Sequence, residues 1–523
     1  MSKPIHYFLT VVSCIYFLSC ESKKETPEPE QPNILFILSD DHTSQAWGIY
    51  GGILADYVQN ENIKRMARNG AVLNNAFCTN SICTPSRGSI LTGQYSHINQ
   101  VYTLNEPLPK GHPNIAKTLG KARYQTAVIG KWHLVEQPEG FDYFNVLPGQ
   151  GSYWDPVLKK KEGWKDGHDS SGGTTYTGFS TDVIADLTIE HLEKRDSLKP
   201  FLMFCNFKAT HEPFDYPERF ASLYTDLEIP EPESLLDFGE ETTGRTFGGQ
   251  ILERLGARWE AATKDPEKFW TSYPGLPYPL DGLDSIQKRK KIYQKLVKDF
   301  MRCGAAIDDN IGKLLDYLEE EGIADNTIVI YTADQGYFLG EHGFFDKRLI
   351  YEESLRMPFV IQYPKEIQGG QRIDDIILNI DFAALLADYA GVAPPDYMQG
   401  KSFRGILEGN PPEDWRKQMY YRYWLHHPHR PAHFGIRDDR YKLAFFYGQD
   451  LGMKGTSDQI TDPQWEFYDL EEDPKELHNA IGEKKYAGII KKMKEALLEE
   501  RKKYKDLDED YPIMKEILAK TYK

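Results

Sequence analysis

Four short apolar runs constrain the fold of this chain more than any other feature. Asn33-Ile34-Leu35-Phe36-Ile37-Leu38 is continuous rather than alternating, and so are the runs Thr126–Ile129, Phe201–Phe204 and Thr327–Tyr331. A strand with one solvated face alternates apolar and polar residues, whereas unbroken runs belong to strands buried on both faces. Helical patterns lie between them, from Asp182 to Lys194 and from Gln294 to Glu321. Alternating strand and helix predicts an α/β fold, a parallel sheet with helices on both faces. Each run leads into polar residues: Asp40-Asp41, Lys131 with His133, His211, and Asp334-Gln335. Ligands bind beyond the carboxyl ends of strands in such sheets. Four segments far apart in sequence are therefore expected at one edge.

The last helix of this unit is expected from Asp381 to Val392, ahead of Pro394-Pro395. From about Arg416 short aromatic strands take over, at Tyr420–Trp424, Tyr441–Tyr447 and Trp465–Leu470, and a charged helical tail begins near Glu483. The chain thus divides into a catalytic unit of residues 32–410 and a smaller α+β subdomain of residues 411–523. Residues 1–31 stand apart. Lys3 precedes an apolar run from Tyr7 to Leu18, too short to span a bilayer comfortably. It ends in Phe17-Leu18-Ser19-Cys20, which is similar to a lipobox. Residues 1–19 then form a lipoprotein signal peptide, Cys20 becomes the lipid anchor, and residues 20–31 form a polar, proline-containing tether. A plain secretory signal is the alternative. The lipoprotein reading places the protein on the outer membrane, facing the periplasm or the cell surface. Of the other cysteines, Cys14 leaves with the signal, and Cys78, Cys83, Cys205 and Cys303 remain. With Cys83 assigned to chemistry below, three are left, which argues against a full disulfide framework, although one pair stays open. A formal charge of −17 with no basic stripe excludes nucleic acid as a partner.

Asp40 and Asp41 are adjacent carboxylates directly after a buried strand. Their repulsion is relieved by a divalent cation; the alternative is an exposed turn or helix cap. Asp334-Gln335-Gly336 repeats the arrangement after another strand and adds a carboxylate and an amide oxygen. Such an all-oxygen set suits a hard cation, calcium first and magnesium second.

Cys83-Thr84-Pro85-Ser86-Arg87, followed by Gly88 to Gly93, reads C-x-P-S-R-x-x-x-L-T-G and resembles the signature of the type I sulfatases. Taken alone, the pentapeptide also fits a buried cysteine in a proline-containing turn. Gly130-Lys131-Trp132-His133-Leu134 resembles a second signature, and further segments in order are similar to that family: Ile307–Gly312, Gly340–Gly343, Tyr351–Ser354 and Trp465–Leu470. The resemblance covers nearly all of the chain after the tether. It implies an alkaline-phosphatase-like sandwich, with a large mixed, mostly parallel sheet between helices and an antiparallel sheet in the C-terminal subdomain. It also implies that a formylglycine-generating or anaerobic sulfatase-maturating enzyme oxidises Cys83 to formylglycine (3-oxoalanine), whose hydrate attacks sulfur. By the same resemblance Asp40, Asp41, Asp334 and Gln335 hold the metal together with position 83, and Arg87 stabilises the hydrate. Lys131 and Lys347 hold sulfate, His133 acts as base, and His211 protonates the leaving alcohol. The family commonly has Asn or His where this chain has Gln335.

The activity implied is hydrolysis of carbohydrate sulfate esters during breakdown of a sulfated polysaccharide. Asp346-Lys347-Arg348 and Tyr351–Arg356 are more similar to bacterial carbohydrate sulfatases, including N-acetylglucosamine-6-sulfatase relatives, than to choline sulfatases. The glycan is an algal polymer such as ulvan, or a host glycosaminoglycan or mucin, with 6-O-sulfated hexosamine among the options. Because the net charge repels a polyanion, a local cationic pocket is expected. The segment His426–His433 is a candidate subsite, with His433 and Arg437 as substrate contacts; a solvated loop is the alternative. Three rivals stay open: a phosphonate or phosphodiester hydrolase of the same superfamily, a noncatalytic sulfated-glycan-binding lipoprotein, and a chain that is catalytically silent where no maturation enzyme exists.

Overall fold

The computed structural model of the protein describes Met1 and residues 31–165, 169–237, 248–266 and 272–521. The expected signal peptide, Cys20 and almost all of the tether lie outside the described residues. Eight strands form the central sheet: β1 (Asn33–Asp40), β2 (Ala71–Leu73), β3 (Gln125–Lys131), β4 (Tyr143–Leu147), β5 (Phe201–Thr210), β6 (Thr327–Ala333), β7 (Phe359–Gln362) and β8 (Gln371–Ile373). Their spatial order is β8-β2-β7-β6-β1-β5-β3-β4. The four apolar runs are thus the adjacent strands β6, β1, β5 and β3, all parallel, with Ile37 beside both Cys205 and Tyr331. β7 runs antiparallel to β6 and β2, which makes the sheet mixed.

Both faces are covered, as the unbroken runs require. Ile34, Phe36 and Leu38 enter one apolar cluster, and Leu35 and Ile37 the other. Six helices supply the cover: α1 (Glu61–Arg68), α2 (Cys83–Thr92), α3 (Ile115–Lys121), α4 (Ser180–Glu193), α5 (Ser285–Glu320) and α6 (Asp381–Tyr389). Residues of α1, α4 and α5 pack on the Leu35 side, and residues of α2, α3 and α6 on the Phe36 side. α5 starts at Ser285 rather than Gln294 because Asp284 and Gln287 form a reciprocal capping box, which satisfies otherwise orphaned amide donors.

The C-terminal region carries a four-stranded antiparallel meander, β9 (Gln418–Tyr423), β10 (His433–Asp438), β11 (Tyr441–Phe446) and β12 (Gln464–Asp469). Three of these are the aromatic runs of the sequence; β10, which follows the Pro/His-rich segment, was not expected as a strand. The meander shares one apolar cluster with the Phe36 side of the central sheet, and the helix α7 (Ala487–Lys503) packs across it. Cys78, Cys83, Cys205 and Cys303 are all buried free thiols. No helix among the described residues is long and apolar enough to cross a membrane.

One buried ion pair ties the chain's last segment to the meander. Arg422 on β9 donates to both carboxylate oxygens of Asp506, Tyr420 donates a third bond, and the Arg422 guanidinium lies 3.6 Å from the Trp424 ring centre. Burial opposes the Asp506 charge, yet Arg422 and Arg501 hold its carboxyl well below the usual range. Asp506→Asn leaves the arginine charge unpaired and is expected to cost about 3–5 kcal/mol in urea unfolding at pH 7. Because the folded value is depressed, that contribution is complete above about pH 4 and declines as pH falls below it. The gap between wild type and variant should narrow in acid; a gap constant down to pH 2 would contradict the pairing.

Candidate active site

The carboxyl ends of β1, β3, β5 and β6 deliver their polar residues to one buried centre. Asp40 closes β1, and Asp41 follows with φ 65°. Successive strand side chains point to opposite faces; the left-handed turn at Asp41 breaks that alternation and lets both carboxylates serve one site. Ligand atoms of Asp40, Asp41 and Asp334 lie within 4.8 Å of one another, and a second cluster joins Asp40, Cys83 and His211. Cys83 opens α2, so its side chain sits at the positive end of a helix. Pro85 falls in the first turn, where a missing N–H costs nothing. Arg87 is one turn further along the same face, which accounts for the Cys-to-Arg spacing. α2 ends at Gly93, whose φ of 69° is left-handed and whose N–H donates to Ser89.

Every buried acid in the centre has a cationic partner. Lys131 donates to Asp40, Lys347 to Asp41, and Arg87 Nε to Asp334 Oδ2 at 2.9 Å. Arg87 also donates to the Lys131 carbonyl at 3.0 Å. β3 reaches this position because Gly130, at φ 97°, lets its backbone approach β5: a Cβ there would lie 2.0 Å from the Asn206 carbonyl oxygen. His211 Nε2 is 3.8 Å from Asp41 Oδ2, and its Nδ1 donates to the Glu212 carbonyl at 2.8 Å. His133 is buried beside Lys131. Cys83 Sγ is 3.8 Å from Asp41 Oδ1.

Electrostatics show what this centre lacks. Burial pushes Asp41 up to about 6 and Asp334 up to about 7, with the neighbouring carboxylates adding to the effect. Burial also opposes the Asp40 charge, but Lys131, His211, Arg87 and Lys347 together hold it well below the usual carboxylate range. Burial raises the Cys83 thiol well above its ordinary value, so the unmodified residue is a poor nucleophile. Burial and then Lys131 push His133 and His211 well down. Asp40 Oδ1 and Gln335 Oε1 are buried without a hydrogen bond among the described residues, although such atoms are normally satisfied. Gln335 Nε2 donates to Asp41, and a half-turn of the amide exchanges that nitrogen for oxygen. Two orphaned oxygens, and two carboxyl groups (Asp41 and Asp334) whose charge burial opposes, are the donor set that a hard divalent cation fits.

Above the centre opens a cavity of about 340 Å³ lined by Asp41, Cys83, His211 and Lys347 at its base and by Gln150, Glu212, Arg258, Asp346, Arg348 and Arg430. Gln150, absent from the sequence reading, accepts from Lys131 Nζ at 2.6 Å. It lies just beyond β4, at the same edge, so the strand-end rule extended to a fifth strand would have found it. Arg258 pairs with Glu212, and Arg430 donates to Asp346 at 3.2 Å. Of the expected subsite segment, Arg430 is the residue that lines the cavity.

The expected substrate contacts His433 and Arg437 need correction: both lie on β10 and neither lines the cavity. His433 is fully buried, stacked on Phe446, donates through Nδ1 to the Pro431 carbonyl, and is pushed down to about 4 by burial. Arg437 is paired with Glu352 at 3.1 Å. The remaining predicted residues, Asp40, Asp41, Cys83, Arg87, Lys131, His133, His211, Asp334, Gln335 and Lys347, are all buried at the strand-end edge.

A sequence model of the sulfatase family matches residues 32–392, and one of the N-sulphoglucosamine sulphohydrolase C-terminal region matches residues 340–503. The chain is 37% identical, over 96% of its length and 92% of the relative's, to an N-acetylglucosamine-6-O-sulfatase of Bacteroides thetaiotaomicron. A solved structure described as a complex with its substrate D-glucosamine-2-N,6-O-disulfate superposes with a TM-score of 0.83 at 36% identity, covering 92% of this chain and 99% of that one. A phosphonate monoester hydrolase of Silicibacter pomeroyi shares the fold at 19% identity and a TM-score of 0.68, covering 91% and 96% of the two chains.

The cation reading has a test that needs no turnover. Chelator-treated protein is expected to melt higher once calcium is restored, by the equivalent of about 2.7 kcal/mol at a hundredfold excess over Kd. Asp334→Asn and Asp41→Asn should each lose that gain. Melting indifferent to calcium and magnesium would contradict the site.

Proposed function

The chain belongs to the sulfatase family of sulfuric ester hydrolases, and we propose that it removes the 6-O-sulfate from a glucosamine-type sugar during breakdown of a sulfated glycan. The observation that carries this reading is the cavity itself: Cys83, His211 and Lys347 at its base, and Arg258, Arg348 and Arg430 around its mouth. With Lys347 they make four cations against Asp41, Glu212 and Asp346 in the same lining, a local excess of one positive charge in a chain of formal charge −17. A volume of about 340 Å³ is at the small end of ligand sites and supports one sugar ring at a time. The glucosamine assignment rests on the similar curated protein and the similar solved structure whose descriptions name such a sugar.

When bound, a calcium ion held by Asp40, Asp41, Asp334 and Gln335 polarises sulfate oxygens, and formylglycine at position 83, installed by a maturation enzyme, supplies the nucleophilic oxygen. The rest falls to this chain's own side chains. Lys131 and Lys347 are compact point charges with three donors each, suited to a tetrahedral anion. Arg87 holds the Asp334 carboxylate through Nε and keeps α2 docked on β3 through the Lys131 carbonyl. His211, with its Nδ1–H committed to the Glu212 carbonyl, has Nε2 on the Asp41 side; the negative charge of the bound ester favours protonation of Nε2, which delivers that proton to the departing sugar oxygen. His133, buried beside Lys131, would serve as the base that takes up a proton in the second half of the cycle. Anchorage through Cys20 on the outer membrane, facing periplasm or surface, belongs to the same proposal.

The test is sulfate release by protein co-expressed with a maturation enzyme. N-acetylglucosamine 6-sulfate and glucosamine 2-N,6-O-disulfate should lose the 6-sulfate, Cys83→Ala should be inactive, and Lys347→Ala should lose about 10²–10³ in kcat. Turnover confined to phosphonate or phosphate esters would favour the rival hydrolase, and glycan binding that is unchanged in Cys83→Ala without any release in wild type would favour the binding protein.

A further inference from the structure

His211 is held by more than its own ring. The side chain is oriented by the Nδ1 bond to the Glu212 carbonyl, but its backbone is fixed from the opposite side by Tyr153. The Tyr153 hydroxyl donates to the His211 carbonyl at 2.6 Å, and the same carbonyl accepts the Phe214 N–H at 3.2 Å. The His211 N–H donates to the Lys208 carbonyl at 3.2 Å.

Tyr153 is itself tightly placed. Its ring stacks on Phe179 at 5.5 Å and 18°. Its carbonyl accepts the N–H of Ser180, the first residue of α4, at 2.7 Å. Its hydroxyl accepts from Cys303 Sγ at 3.4 Å, and Lys208 Nζ stands 4.8 Å from the ring centre. The residue is 4% exposed and does not line the cavity. It belongs to the loop after β4 that also carries Gln150, the partner of Lys131. A single loop therefore grips a sulfate-side lysine with one residue and the segment bearing the imidazole with another.

We propose that Tyr153 is a positioning residue for His211, its hydroxyl fixing the His211 backbone where the imidazole meets the leaving oxygen. The inference rests on the reading of His211 as the proton donor. A hydroxyl that touches neither sugar nor sulfate can affect turnover only through what it holds. Its loss leaves the His211 carbonyl with the Phe214 bond and releases the strand end to shift. Displacements of about 1 Å at such groups cost up to about a hundredfold in rate.

The experiment is a double-mutant cycle on fully matured protein, with single-turnover rates on N-acetylglucosamine 6-sulfate measured at high enzyme concentration so that slow reactions remain visible. Tyr153→Phe should lower kcat by about 10- to 100-fold with KM unchanged. In a His211→Ala background the same substitution should have no further effect, because partners acting as a unit are not additive. Cys303→Ala disturbs the same packing but keeps the bond to His211, and it should retain wild-type turnover; melting temperatures of all variants confirm folding. Equal losses for Tyr153→Phe in both backgrounds, no loss at all, or a matching loss in Cys303→Ala would each overturn the proposal. Full activity in His211→Ala would instead sink the assignment of the proton donor, a distinct failure.

Discussion

Three buried carboxylates face three buried cations at one end of the central sheet, and the active-site architecture depends on their pairing. Lys131 with Asp40, Lys347 with Asp41 and Arg87 with Asp334 bring three strand ends, one helix and the segment bearing Lys347 together. Six such charges are tolerated together only because each has a partner; removing one leaves its opposite buried and uncompensated. The formal charges of the six cancel. A bound divalent cation would then leave the centre at +2, and a singly charged sulfate ester is a ligand that lowers that excess without cancelling it. On the proposed function, affinity for sulfate would belong to the whole constellation rather than to either lysine alone.

The second structural commitment is behind the strand end that carries Asp334 and Gln335. The turn Glu352–Leu355 presents the Ser354 carbonyl to the Gly336 N–H at 3.0 Å and to Ser81 Oγ at 2.5 Å. Gly336 is required there, since a Cβ would lie 2.1 Å from the Glu353 carbonyl oxygen. The same turn is gripped from the C-terminal meander by Arg437 and Lys442, both bonded to Glu352, with Lys442 at 3.0 Å. The C-terminal sheet thus contributes in two ways. Its core-facing cations brace the turn behind Asp334 and Gln335, and the loop before β10 sends Arg430 to the cavity mouth.

Sequence legibility followed the physics of each signal. The apolar runs of β1, β3, β5 and β6 were readable because a strand buried on both faces has no polar alternation to confuse it. Their spatial adjacency then brought Asp40, Lys131, His211 and Asp334 to one edge, as the strand-end rule anticipates. Arg87 was readable only through the resemblance of Cys83–Gly93 to a family signature; that its spacing to Cys83 is one helical turn emerges once Cys83 opens α2. β10 was not, because the prolines before it and the charged Arg437 within it resemble a loop, while the pairing that buries them comes from neighbouring strands. His433 and Arg437 were misplaced for the same reason: residue type suggested an acidic ligand, but only the register of the meander decides which side chains reach the cavity. Arg258 and Tyr153 carried no motif at all. Their places at the site are set by tertiary contacts with Glu212 and with the His211 backbone.

The account turns on Cys83 being the precursor of the nucleophile rather than the nucleophile itself, since burial among carboxylates keeps its thiol protonated. The most direct measurement is the mass of the proteolytic peptide spanning Cys83, taken from the same preparation whose sulfate release is assayed. The account predicts an aldehyde in place of the thiol in every active preparation, with activity rising in proportion to the converted fraction. An active preparation in which that peptide carries only unmodified cysteine would contradict it.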